Sequence, residues 1–450
     1  MRRLMLTICL LLLSAVICQA QINNDSTFVP KKRFGRAATE LFIVQLLPWT
    51  FDKYVTKAEW AKLDLKSIGS NLNPKNWEWD DNSFKTNQFG HPYHGNLYYS
   101  TFRTNGYSFW QSAPAAFAGS FIWETAAETN KFALNDFINT SLGGITLGEM
   151  TYRVSRKIVN NRARGAKRQM QEVFGLLVNP LNGVNRILNG EWGKVHGVVD
   201  TNHKLTAFLN VGSRHFNIKT YQQNLRGREE IYLRLRLLYG EKFEETSAPF
   251  DHFSAVIELG SGDSTYVNNL QVSGALHTWP MDREEENSRH LYTITMNYDF
   301  IKNNAFQYGG QSFTFKLLSN WNPDAKVRFT SEIGSGVIAL GAVPDKYLFY
   351  GEGRNYDYCA GINVVAGGTM VINNWFETEL NYRGSRFQTI NGNPSSYILN
   401  TLSADLRGYF KKRFSLAAGI GQYTLNGFFK GFDNVAEVYP FARFSVGYKL

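Results

Sequence analysis

The chain has 450 residues, a formal net charge of +10, a pI near 9.3, a mean hydropathy of −0.30 and 15% aromatic residues. Three cysteines in this length exclude a disulfide-built scaffold, and no run after the N-terminus approaches the ~20 apolar residues of a spanning helix. The basic balance points to anionic surfaces such as a lipid headgroup layer; without a recognition motif it does not point to nucleic acid.

Arg2 and Arg3 lead into the uncharged, apolar run Leu4 to Val16, and Cys18-Gln19-Ala20 places small residues before a cut. Residues 1–20 therefore read as a secretory signal peptide, with Gln21 as the mature start. Val16 and Ile17 ahead of Cys18 argue against lipidation there. Cys9 and Cys18 leave with the signal, so Cys359 stays behind without a disulfide partner.

Residues 21–76 read as an N-terminal helical segment, apolar over Ala37 to Leu47 and mixed amphipathic over Lys57 to Ile68. Residues 77–190 form a motif-bearing segment with further helical spacing over Phe109 to Thr129 and Asn135 to Asn160. Ala115 and Gly119, and likewise Gly144 and Gly148, stand four apart and would let helices approach closely. Tyr98, Tyr99 and Phe102 make His94 to Arg103 read as a strand, the first of a barrel, with plug-like helices inserted after it. The basic run Arg162 to Arg168 reads as a solvated face in preference to a lipid-binding patch.

The densest set of unusual residues begins Trp77-Glu78-Trp79-Asp80, then Asn87-Gln88-Phe89-Gly90-His91-Pro92-Tyr93-His94-Gly95 and Arg103. It continues with Ser120-Phe121-Ile122-Trp123-Glu124, Glu128, Asn135-Asp136, Gly143-Gly144 and Gly148-Glu149. This series resembles an uncharacterised family of exported bacterial proteins, domain of unknown function 3943, over roughly Trp77 to Arg153 and on to Asn179-Pro180 and Asn185-Arg186. The resemblance implies an outer-membrane-type protein and carries no activity with it.

Within the series, His91, His94, Glu124, Glu128 and Glu149 are the catalytic candidates. On a helix Glu124 and Glu128 share a face and repel unless they meet a cation, a metal or a shared proton. A histidine pair with two carboxylates could hold a divalent metal, and one histidine with one glutamate could run acid–base chemistry. Against a metal, Pro92 speaks against a regular helix through His-x-x-His and no third ligand follows at a known interval, so the cofactor is left open. No Gly-x-Ser-x-Gly elbow exists, and Ser100 and Ser120 are nucleophiles only by proximity. The competing reading is a polar plug whose carboxylates pair with wall arginines at Arg234, Arg236, Arg328, Arg407 and Arg443.

Residues 191–450 read as the barrel itself. Ile231 to Leu237 alternates aliphatic residues with Tyr232, Arg234 and Arg236; Tyr292 to Phe300 and Leu402 to Phe410 repeat the pattern. Runs of this length fit membrane strands of ~9–11 residues better than sandwich strands of ~5–6. Phe444, Val446, Tyr448 and Leu450 alternate to the last residue, resembling the closing strand read by the barrel insertion machinery. The expected fold is thus mainly β: a C-terminal transmembrane antiparallel β-barrel of about 12 strands with an N-terminal and inserted helical segment. Its partners are outer-membrane lipids and the insertion machinery, with no nucleic acid and no identifiable small-molecule substrate. Two functions follow, a non-enzymatic cell-envelope protein with a polar helical plug, or a barrel-embedded hydrolase acting on lipid or envelope polymer through its His/Glu site.

Overall fold

The period-two alternation becomes strands that pair in sequence order and then close. The computed structural model describes residues 31–195 and 203–450, apart from 63, 221–222, 262–265, 282–286, 304–305, 324–325 and 412. The expected signal peptide lies outside the described residues. The strands are β1 Leu205–Thr220, β2 Gln223–Tyr239, β3 Phe253–Gly260, β4 Val267–Pro280, β5 Ser288–Lys302 and β6 Gln307–Trp321. They continue as β7 Val327–Pro344, β8 Tyr356–Ile372, β9 Phe376–Asn391, β10 Ser395–Phe410, β11 Phe414–Phe429 and β12 Val435–Lys449. Each pairs antiparallel with its sequence neighbours, and β1 pairs with β12, which leaves no open edge.

Ion pairs between strands that are not neighbours mark the lumen. Arg236 on β2 reaches Glu379 on β9 at 2.9 Å, and Arg383 on β9 reaches Asp299 on β5 at 2.7 Å. Alternation then puts Ile333, Ile362, Leu380, Leu406, Ile420 and Phe444 on the opposite face, where all are exposed. A closed sheet with charge inside and aliphatic residues outside satisfies its backbone without water, as a bilayer requires. The protein is an outer-membrane β-barrel. At the end away from Leu205 and Lys449, the interior turns apolar: Ile301, Phe306, Tyr308, Ile338, Phe387 and Tyr397 belong to one buried cluster.

The helices all precede the barrel. They are α1 Phe34–Phe51, α2 Leu65–Asn71, α3 His91–Arg103, α4 Phe109–Ala126, α5 Leu134–Ile138, α6 Gly144–Val159, α7 Gly165–Val178 and α8 Pro180–Leu188. Asp64 and Ser108 open α2 and α4 with capping boxes, and the Asn179 side chain caps α8. Lys57 to Ile68 is not one helix: Lys57 is left-handed (φ 55°) and the Asp64 cap starts a new element. His94 to Arg103 is helical, not a strand. Pro92 falls in the first turn of α3, where its missing N–H costs nothing, so His91 and His94 do share a helix. Tyr98 and Tyr99 are the packing residues of that helix. Their rings fill the space over Gly119 on α4 and Gly148 on α6, where an added Cβ would fall 2.5 Å from each ring. A Cβ on Gly144 would lie 2.4 Å from the Gly95 carbonyl carbon, so α3 and α6 touch through backbone.

The helical unit packs on the outside of the barrel, which corrects the expected plug. On β5, Asn297 and Asp299 face the lumen, so Met296, Tyr298 and Phe300 face outward, yet Tyr298 is 0% exposed. Phe84 and Phe89 lie against Phe300, and the Tyr298 hydroxyl donates to the Gln88 carbonyl at 2.5 Å. Phe109 stacks on Phe250, and Arg153 reaches Asp251 and the Pro249 carbonyl in the loop between β2 and β3. The lumenal arginines Arg234, Arg236 and Arg443 pair with the wall residues Glu258, Glu379 and Asp405 and not with helix carboxylates. The outer wall, by contrast, offers a broad apolar surface for burial.

The two faces of β10 should respond oppositely to charge. Leu402→Arg, lipid-facing near mid-strand, is expected to cost about 2–4 kcal/mol and lower the heat-modifiable, folded fraction in gel migration; lumenal Ser403→Arg should cost far less. Equal folded fractions would contradict the face assignment.

Candidate functional site

The site forms where α3, α4 and α5 meet. The backbone of Glu78 pairs with the segment around Phe132 to Leu134, and the Asp80 amide donates to Asn135 Oδ1 at 2.7 Å. These bonds bring the Asp80 segment beside α5, which carries Asp136. His91 opens α3, Glu124 lies in the last turn of α4, and Glu128 follows two residues after that helix ends.

His91 Nε2 stands 3.6 Å from Asp136 Oδ1. One ligand atom each from His91, Glu124 and Asp136 fall within 4.8 Å of one another. Glu124 Oε2 accepts from the Ala133 amide at 3.0 Å, and Asp136 Oδ1 accepts from the Asn135 side-chain amide at 2.7 Å. The barrel braces this arrangement from outside. Asn135 also donates to the Tyr358 hydroxyl at 2.8 Å, while the Asn87 amide donates to Tyr356 and Tyr358 at 2.9 and 2.7 Å.

An imidazole among three or four carboxyl groups can share protons with them or ligate a cation.

The other two candidates lie elsewhere. His94 places Nε2 3.3 Å from the Val44 carbonyl and Nδ1 3.3 Å from the Tyr98 hydroxyl, with its ring against Trp123. Glu149 accepts from Tyr99 at 2.6 Å, from Arg103 at 2.7 and 3.0 Å and from Arg153 at 2.7 Å. This network joins α3, α6 and, through Arg153, the barrel loop. Ser100 is bonded by Asn179, and the Ser120 hydroxyl, buried one turn before Glu124, has no partner among the described residues. Asp136 and Asp80 were visible in the motif series but lacked any spacing that marks a ligand. The expected pairing of Glu124 with a wall arginine does not occur: among the described residues no Arg or Lys forms an ion pair with it.

Residues 76–181, which hold the whole cluster, match the family described as a domain of unknown function (DUF3943). Solved structures similar to the chain include an outer membrane channel from Pseudomonas putida F1, 10% identical, covering 56% of this chain and 99% of that one with a TM-score of 0.29. The KdgM porin is 9% identical, covering 53% and 98%, with a TM-score of 0.24. The outer membrane channel DcaP of Acinetobacter baumannii is 8% identical, covering 55% and 98%, with a TM-score of 0.24. No curated protein matches the chain.

Two glutamates on neighbouring helices should therefore behave in opposite ways. Glu149→Gln strands two buried guanidiniums and is expected to cost about 3–5 kcal/mol in denaturant unfolding followed by tryptophan fluorescence. Glu124→Gln, in chelator-treated protein, relieves repulsion while keeping an acceptor for Ala133, and should not destabilise. The reverse ranking would refute this division of roles.

Proposed function

We propose that this outer-membrane protein works beside its barrel and not through it. The barrel is a closed anchor, and the helical unit sits in the bilayer against the outer wall with its polar site turned away from lipid. The observation that carries this reading is the inverted polarity of α1. It buries Glu40 and Gln45, each 7% exposed, and turns Phe42 and Leu47, each 63% exposed, outward with Ile43 and Leu46. A helix on a water-soluble protein does the reverse. The same inversion recurs on α4, which buries Ser112, Ser120 and Glu124 and exposes Trp110, Phe117, Phe121 and Ile122.

Banding supports the same depth for helices and barrel. At 18 residues α4 is about 27 Å long, close to the ~25 Å apolar belt of an outer-membrane barrel. Charged residues flank the band: Lys53, Lys57, Lys62 and Lys66 near the C-terminal end of α4, and Arg162, Arg164 and Lys167 toward the other end. No helix among the described residues is long and apolar enough to cross a membrane. The polar inner faces lower each helix's average, and the wall and neighbouring helices are what hide those faces. The ion pairs that cross the lumen from β2 to β9 and from β9 to β5 support the closed reading, and the far end holds a cavity of about 270 Å³ lined in part by Phe306, Tyr397, Leu425 and Tyr439. The alternating β12 is the segment the insertion machinery would read.

Nitroxide labels at Phe42 and Phe121 in reconstituted protein are expected to collide more with oxygen than with a water-soluble nickel chelate; labels at Lys62 and Lys167 should show the opposite. Chelate-accessible labels at Phe42 and Phe121 would overturn the lipid placement. Independently, planar bilayers holding the protein should show no stable conductance steps, and reproducible steps would overturn the closed anchor.

A further inference from the structure

Several buried carboxylates in this molecule are given arginines: Glu149 has Arg103 and Arg153, Glu172 has Arg168 and Arg186, Glu258 has Arg214 and Arg234, and Asp299 has Arg383. Asp345 and Asp357 are met instead by the Asn393 amide and by the Ser395 and Tyr397 hydroxyls. The cluster between α3, α4 and α5 departs from this pattern. Glu124 and Asp136 are 1% and 4% exposed, Glu128 and Asp80 adjoin them, and among the described residues no Arg or Lys comes within 4.0 Å of any of the four carboxylates. Among the described residues, the basic group paired with them is His91, whose Nε2 lies 3.6 Å from Asp136 Oδ1. Carboxyl oxygens and an imidazole nitrogen that converge in this way, with no Arg or Lys ion pair among them, make a donor set suited to a cation that the chain itself does not supply.

We infer that His91, Glu124 and Asp136, with Glu128 beside them, form a binding site for one divalent first-row transition-metal ion: Mn²⁺, Fe²⁺ or Zn²⁺. Ligand atoms bonded at ~2.0–2.2 Å lie within ~4.4 Å of each other, so small side-chain shifts from the observed 4.8 Å limit bring all three onto one ion. The supports expected around such ligands are in place. One oxygen of Glu124 is held by the Ala133 amide, and the carboxyl also hydrogen-bonds with Glu128, a contact that an ion would replace. Asp136 is oriented by Asn135, itself fixed to Tyr358 on the barrel wall. The Ser120 hydroxyl, 1% exposed and without a partner among the described residues, lies four residues before Glu124 on the same helical face.

The donor set narrows the ion. An imidazole among carboxylates favours Mn²⁺, Fe²⁺ or Zn²⁺ over Ca²⁺ and Mg²⁺, which prefer oxygen ligands throughout, and over Cu⁺, which prefers sulfur. The His91 side chain, 18% exposed against 6% for Asp136, marks the more open edge of the cluster. The site stands on this geometry alone and holds whether or not the helical unit is bathed in lipid.

The test uses full-length protein in detergent, stripped with EDTA, loaded with Mn²⁺, desalted and counted by plasma mass spectrometry. Wild type is expected to retain one ion per chain and to show the broadened electron-spin signal of immobilised Mn²⁺. Asp136→Asn and His91→Gln, checked for folding by heat-modifiable migration, are expected to lose at least tenfold in retained ion. The thermal unfolding of wild type should rise with Mn²⁺ or Zn²⁺ and fall back with EDTA, a readout that needs no variant to fold. Wild type that takes up no ion and shows no shift would overturn the proposal. So would folded variants that retain as much ion as wild type, since the ion would then sit elsewhere.

Discussion

A bilayer interior tolerates neither a bare charge nor an unpaired backbone group, and the molecule answers that constraint everywhere in the same way, by turning charge inward. In the barrel the alternation of each strand sends Arg236, Glu379, Arg383 and Asp299 into the lumen, where they pair across the ring. In the helical unit the same sorting buries Glu40, Asn105, Glu149, Glu172 and Arg186, which bond one another's elements while phenylalanine and leucine face out. Such pairs add little net stability because desolvation offsets their attraction, but losing one partner is costly. They therefore fix the arrangement of the elements more than they strengthen it.

The same constraint explains why the helices need the barrel. In the bilayer placement proposed above, α1 and α4 each have a polar face that cannot meet lipid and an apolar face that cannot usefully meet water. Packed on the wall of β5 and β8, the unit gains partners for its amides at Tyr298, Tyr356 and Tyr358, and an anchor for Arg153 at Asp251. The His91, Glu124 and Asp136 cluster is built on that wall. A change at Tyr358 would be felt there through Asn135, although no strand residue enters the cluster.

Much of the barrel was legible because period two with one aliphatic face has few other meanings. Leu402, Leu406 and Phe410 are exposed as the alternation of β10 implies, and Arg407 lies on the other face. What lay beyond reading was which outward residues are covered. Tyr298 and Phe300 have the chemistry of lipid-facing or interfacial aromatics, and only the tertiary fold reveals that helices sit on them. The error at His94 to Arg103 has a similar root: Tyr98 and Tyr99 suit a strand by propensity, but close contacts with Gly119 and Gly148 select a helix. Among the candidates, Glu149 looked like its neighbours because the arginines that neutralise it lie 46 residues away on α3 and one turn away on α6. Asp136 gave no signal of its own, since a ligand contributed from a separate short helix has no fixed spacing to the others.

The account turns on where the bilayer lies relative to the helices. An electron cryomicroscopy map of the full chain in a lipid nanodisc tests this directly. The account predicts disc density that encloses barrel and helical unit together, touching α1 at Phe42 and Leu47 and α4 at Phe117 and Phe121. A disc that encircles the barrel alone, with lipid against Met296 and Tyr298 and the helical unit displaced into solvent, would contradict it.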